Sequence, residues 1–258
     1  MRARAVLAML LGSLVLALAA CGDGDEEAPS ERSQLTVSAA ASLKTAFTRY
    51  GRQLSGASAR FSFAGSDELA AQIRQGVKPD VYAAADTELP EQLFAEGLVE
   101  QPTVFAGNRL VLAVPAGDAE VASLEDLRAG GVTLAIGSEA VPVGAYTRTV
   151  LAKLPAGQRE AILANVRSEE PDVGGITGKL TQGAVDAGFL YASDVRAADG
   201  ALTAIDLPGE LQPSVAYGVA VVKGATEPEA ARAFIAGLLD GAGAQALKDA
   251  GFEPPPGR

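Results

Sequence analysis

Apolar and polar positions in this chain repeatedly switch from a period of two to a period near 3.6. Leu35-Thr36-Val37-Ser38 is β-rich, and Leu43, Phe47, Tyr50 and Leu54 then recur at roughly helical spacing. Between them lie Ala39, Ala40 and Ala41, so the stretch reads as strand, tight turn, and a helix opening at Ser42. The pattern returns downstream. Ala59–Phe63 predicts a strand, followed by Gly65-Ser66 and a helix with Leu69 and Ile73 on one face, Gly76 at its end and Pro79 beyond. Asp80–Ala84 predicts a short strand, Thr87–Glu96 a helix closed by Gly97, and Arg109–Val114 a strand apolar enough to be covered on both faces. Val132–Ile136 is the next predicted strand. Helices follow from about Gly144 to Lys153, from Ala156 to Ala164 and after Asp172, then the strand Ala187–Tyr191. Beyond the turn Pro208-Gly209 come a strand over Ser214–Val222 and closing helices over Pro228–Leu239 and Gly243–Ala250.

Alternating βα units predict an α/β fold with mixed, mostly parallel sheets. Ligands of such sheets bind beyond the carboxyl ends of the strands, where helix N-termini converge. Ser42, Ser66, Val143 and Tyr191 all fall at such ends. A helix start exposes unpaired N–H groups and the positive end of the dipole, a natural seat for an anion. On these residues alone Ser42 and Ser66 are open to two readings, a helix cap or a hydroxyl aimed at a ligand. Tyr191 is open to two as well, a core aromatic or a phenol reaching a ligand.

The N-terminus changes the picture of where the chain works. Arg2 and Arg4 precede an apolar run from Ala5 to Ala20 that is too short to span a bilayer and suits a secretory signal. Its end, Leu18-Ala19-Ala20-Cys21, resembles the lipobox of bacterial lipoproteins, which implies lipidation of Cys21, the sole cysteine of the chain. Residues 21–33 are acidic and polar, and are expected to form a flexible tether. Net charge is −11 over 258 residues, and −13 once Arg2 and Arg4 leave with the signal. That balance argues against nucleic acid as a partner. There is no histidine, which removes the usual nucleophilic triads and the commonest metal ligand. Nor do the glycines make a nucleotide-binding pattern. The chain offers hydroxyls, small residues and helix starts rather than acid–base machinery, so no enzymatic activity is expected.

A family resemblance now becomes specific. Val37-Ser38-Ala39-Ala40-Ala41-Ser42-Leu43, Phe63-Ala64-Gly65-Ser66, Pro79–Asp86, Gly107–Val111, Val141–Tyr146, Asp172-Val173, Phe189–Asp194 and Ala250-Gly251-Phe252 resemble, in order, the motifs of the periplasmic molybdate-binding proteins of ABC importers. The resemblance implies a two-lobed type II periplasmic-binding-protein fold with a ligand cleft between the lobes. The first lobe is then expected from residues 34–108 plus 213–258 and the second from 109–212. It also implies molybdate, with tungstate as co-ligand, held by the hydroxyls of Ser42, Ser66 and Tyr191 and the backbone N–H groups of Val143 and Val173. No cofactor and no direct cation ligand is implied. The expected partners are a membrane permease and its ATPase, with the protein a monomer lipid-anchored outside the cytoplasm. Sulfate or another tetrahedral oxyanion is the rival ligand; an enzyme or an adhesion module on the same fold is the rival function. Asp67, where the family commonly has serine or threonine, and Gly174-Gly175, at an expected helix start, depart from the pattern.

Overall fold

The computed structural model describes residues 33–117 and 120–257. The signal segment, Cys21 and all of the tether but Ser33 lie outside these residues. Arg32–Arg258 forms one compact unit.

The chain opens with β1 (Ser33–Ala40), a 3-10 turn over Ala41–Leu43, α1 (Lys44–Gly51), β2 (Ala57–Ala64), α2 (Ser66–Arg74), β3 (Val81–Ala84), α3 (Glu88–Ala95) and β4 (Thr103–Asn108). After the single residue Arg109, β5 (Leu110–Pro115) begins a second set: β6 (Leu134–Gly137), α4 (Pro142–Ala152), α5 (Ala156–Ala164), β7 (Val166–Glu170), α6 (Val173–Thr181), β8 (Ala187–Tyr191), α7 (Ala192–Ala197) and β9 (Leu202–Asp206). The chain then returns through β10 (Val215–Val221), α8 (Pro228–Leu239) and α9 (Ala242–Asp249).

Two five-stranded sheets result, ordered β2-β1-β3-β10-β4 and β7-β6-β8-β5-β9. The first takes its strands from residues 33–108 and 215–221, the second from 110–206. The sheets share one plan. Three parallel strands (β2-β1-β3, and β7-β6-β8 in the second) lead into two that run as antiparallel partners, β10 and β4, or β5 and β9. The expectation of mixed, mostly parallel sheets holds: β1–β2, β1–β3, β6–β7 and β6–β8 are parallel, and every antiparallel pairing involves β10 or β5, the one strand of each sheet that runs against the other four. The reason is the crossing. β5 and β10 enter their sheets from the opposite lobe, so they arrive without a crossover helix to turn them parallel.

The hydrophobic pattern explains what packs where. β5 is apolar at nearly every position because helices cover both faces of its sheet; Leu110 to Val114 are all buried. Under the first sheet Phe47 of α1 sits edge-on to Phe234 of α8, with centroids 5.4 Å apart, and 6.0 Å from Phe105 of β4. Helix α1 stops at Gly51, short of the predicted reach to Leu54, which packs against the core from the following loop. Pro142 and Pro228 sit at the starts of α4 and α8, where a missing N–H costs nothing.

Candidate functional site

In both sheets the chain goes from the central parallel strand to one side and then returns to the other, which leaves a crevice at the strand ends. Those six ends meet. Ala40, Ala41 and Ser42 after β1, Ala64, Gly65 and Ser66 after β2, and Ala85 after β3 wall one side of a cavity. Val141, Pro142 and Val143 after β6, Asp172 and Val173 after β7, and Tyr191 at the end of β8 wall the other. The structure therefore brings all five sequence-predicted residues, Ser42, Ser66, Val143, Val173 and Tyr191, to a single cavity. The cavity has a volume of about 20 Å³. That holds something of the order of a small inorganic ion. The two sides are in close approach: a Cβ on Gly65 would lie 2.5 Å from the backbone oxygen of Pro171.

Neither serine caps a helix. Ser66 is the first residue of α2, and Gly65 at the cap makes no side-chain bond. Its Oγ accepts the N–H of Ala85 at 3.0 Å, and its carbonyl accepts the Tyr82 hydroxyl at 2.8 Å. With that lone pair engaged, the Ser66 proton is available to the cavity. Ser42 Oγ lies 3.0 Å from the Tyr217 hydroxyl. Tyr191 is 1% exposed, yet its hydroxyl has no hydrogen-bond partner among the described residues. Burial pushes its pKa well above the ordinary tyrosine value, so it remains a protonated donor.

Backbone donors complete the lining. The first N–H groups of a helix have no intrahelical partner. Val143 is the second residue of α4, after Pro142, and the first helical bond there runs from Ala145 N to Val141 O. Val173 opens α6, whose cap is Asp172: one carboxylate oxygen accepts Gly174 N at 2.7 Å and Gly175 N at 3.1 Å, which leaves the Val173 N–H free of the cap. Helix α6 thus starts at Val173 in spite of its two glycines. At Gly175 an added Cβ would crowd the Glu170 side chain, which the glycine lets pack close against the helix.

Among the described residues no lysine or arginine lines the cavity, and two carboxylates near it, buried Asp194 and half-buried Asp86, have raised pKa values. Asp194 accepts the Tyr191 N–H at 3.1 Å, and burial raises its pKa to about 7. Burial likewise raises Asp86 to about 6, helped by the neighbouring charges of Glu88, Asp67 and Glu91. Asp67 itself is not among the lining residues; one of its oxygens is buried without a hydrogen-bond partner among the described residues. Among the described residues, no group of three or more His, Cys, Asp or Glu side chains could hold a metal ion, and no helix is long and apolar enough to cross a membrane.

Tyr217 and Asn108 escaped the reading of the sequence. Tyr217 reads there as one more apolar position of a valine- and alanine-rich strand. The usable signal was a hydroxyl-tipped aromatic in a strand otherwise free of polar side chains, where a buried Tyr needs a partner.

A donor-lined cavity at the strand ends of two linked α/β lobes is the architecture of a bilobal periplasmic-type binding protein. The chain belongs to the family described as bacterial extracellular solute-binding protein, whose model matches residues 35–253. Over 253 residues it is 34% identical to the molybdate-binding protein ModA of Mycobacterium tuberculosis, with 94% of this chain and 95% of that protein covered. The periplasmic molybdate-binding protein of Azotobacter vinelandii superposes with a TM-score of 0.77 at 22% identity, over 86% of this chain and 99% of that one. The sulfate-binding protein SubI from Mycobacterium tuberculosis gives the same TM-score, 0.77, at 17% identity, over 86% and 87% of the two chains. At such identities the two superpositions speak for the fold alone.

Proposed function

We propose that this protein captures molybdate, and tungstate with it, between its two lobes outside the cytoplasm and delivers it to the permease of an ABC importer driven by an ATPase. The observation that carries this reading is the Tyr191 hydroxyl, buried at a cavity of ionic size and unmatched by any acceptor among the described residues. A tetrahedral oxyanion would supply the acceptor it lacks. Ser42 and Ser66 would add hydroxyl donors from the first lobe, and Val143 and Val173 N–H donors from the second. Each hydrogen bond to a charged oxygen contributes roughly 1.5–3 kcal/mol. Five of them, less the cost of dehydrating the ion and closing the lobes, are enough for micromolar or tighter binding. The identity to molybdate-binding relatives over nearly the whole chain supports the choice of ion.

The protein carries out no chemistry in this reading. It acts as a monomer, held at the membrane surface by a lipid on Cys21, and lobe closure is the signal the permease reads. Sulfate is the second reading, since it shares the charge and tetrahedral shape of molybdate and would meet the same donors. Calorimetric titration of the full chain with molybdate, tungstate, sulfate and phosphate separates them. One-to-one binding of molybdate and tungstate, with sulfate at least about 100-fold weaker, is expected. Sulfate binding as tight as molybdate would move the assignment to sulfate, and silence with all four would end the oxyanion reading.

A further inference from the structure

The cavity is backed by a chain of hydrogen bonds whose direction is set by one amide. The N–H of Arg109 donates to Asn108 Oδ1 at 2.9 Å, which orients the Asn108 side chain. Its Nδ2, a donor only, then faces Ser193 Oγ at 2.8 Å and the Tyr217 hydroxyl oxygen at 3.4 Å. An NH₂ group cannot accept, so the Tyr217 proton cannot point back along the chain. Its other hydrogen-bond partner is Ser42 Oγ, 3.0 Å away. Tyr217 must therefore donate to Ser42, and the Ser42 proton is left to point into the cavity. Asn108, Tyr217, Ser42 and Ser193 are all buried.

We infer that Asn108 and Tyr217 are positioning residues that fix the Ser42 hydroxyl as a donor toward a bound oxyanion, acting through the one-way order Asn108 to Tyr217 to Ser42. This inference rests on the oxyanion reading of the cavity and adds to it a determinant outside the cavity wall. Without the amide, the Tyr217–Ser42 bond could run either way, and half of its states would present a serine lone pair to an anion.

Reversing the chain is the test. In Asn108→Asp the carboxylate accepts the Tyr217 proton, Tyr217 turns its lone pair to Ser42, and Ser42 turns its proton away from the ligand. Molybdate binding by the full chain, measured by calorimetry, is expected to weaken about 100-fold, the loss of one charge-assisted donor plus the added charge. Adding Tyr217→Phe breaks the reversed chain while keeping that charge, and is expected to restore affinity by about 10-fold over the single variant. A structural role for Tyr217 predicts the opposite, that the double variant binds worse still; a double variant no tighter than Asn108→Asp overturns the inference. Milder substitutions give a second test that does not depend on the new carboxylate folding. Tyr217→Phe is expected to weaken molybdate binding about 5-fold in the native background and not at all in a Ser42→Ala background, because Tyr217 acts through Ser42. Equal losses in both backgrounds overturn it. Failure of the native chain to bind molybdate, tungstate or sulfate would instead remove the oxyanion reading beneath it, so the two failures are told apart by the unmodified protein.

Discussion

Tyr191→Phe separates a group kept for a ligand from one kept for the fold. The substitution removes one oxygen and leaves the ring, which packs 5.8 Å from Tyr217 and 6.4 Å from Tyr146 in edge-on contacts. No internal hydrogen bond is lost, because the hydroxyl makes none among the described residues. A buried hydroxyl without a partner costs a folded protein about 1–3 kcal/mol. Deleting it is therefore expected to leave the unliganded protein as stable as before or more so, and 1 kcal/mol corresponds to about 2–4 °C in Tm for a body of this size. Binding moves the other way: loss of one charge-assisted donor, roughly 1.5–3 kcal/mol, weakens molybdate affinity about 10- to 150-fold. Calorimetry gives the affinity, and thermal melts with and without molybdate give the stability. The expected signature is an unliganded Tm that holds or rises while the ligand-induced rise in Tm shrinks. A variant that melts several degrees lower and binds as tightly as the native chain would refute the reasoning, since the hydroxyl would then serve the fold.

The other substitutions probe groups with different double duties. Ser66→Ala removes a donor and also strands the buried N–H of Ala85, now bonded at 3.0 Å, so both affinity (about 10- to 150-fold) and Tm (by about 2–4 °C or more) should fall together. Gly65→Ala tests closure: Gly65 has an ordinary φ of −59°, but an added Cβ would press the Pro171 carbonyl across the cleft at 2.5 Å. It should weaken molybdate binding by about 10-fold or more; tight binding would mean that the lobes need not approach so closely. The raised values of Asp194, to about 7, and Asp86, to about 6, mean that the folded state holds protons the unfolded chain has already released. Stability should then fall as pH rises from 5 to 8, and Asp194→Asn, which keeps an oxygen for the Tyr191 N–H, should flatten that slope. Asp80, whose hydrogen bonds from Thr36 and Glu227 outweigh burial and lower its pKa, contributes only at more acidic pH. A melting temperature constant across pH 5–8 in the native chain would contradict this account.

Much of the molecule was legible from periodicity because its core strands and longer helices bury continuous or regularly spaced apolar side chains. Helices α5 and α8 and strand β8 fall on their expected bounds. What escaped lies at the edges. β7, Val-Arg-Ser-Glu-Glu, and β9, Leu-Thr-Ala-Ile-Asp, close the two sides of the second sheet with charged or polar outward positions, and such edge strands read as loop. Six-residue α7 is too short to show a helical period. The strand-end motifs carried the cavity residues because serines and small residues at βα junctions stand out against apolar strands. Tyr217 and Asn108 did not stand out. Their partners lie 175 and 85 residues away in sequence, so their pairing is a property of the tertiary fold.

On the proposed function, the absence of lysine and arginine from the cavity wall among the described residues follows from what an oxyanion carrier must do. In a chain of net charge −11 the long-range field opposes an incoming anion, and a buried lysine would offset it. A point charge, however, attracts any anion and says little about how many oxygens it carries or how far apart they lie. Hydroxyls and N–H groups at five strand ends are directional, and each is satisfied only by an oxygen at its own position. They also come in two sets, from two strand ends of the first sheet and three of the second. While the lobes are together the sets act as one cage; once the lobes part, each half keeps only its own donors and water can replace the other half. Binding strength is therefore tied to closure itself, and a carrier can hold its ion firmly in transit and release it when a partner draws the lobes apart. A fixed cation on one lobe would keep its hold through that motion and blunt the release.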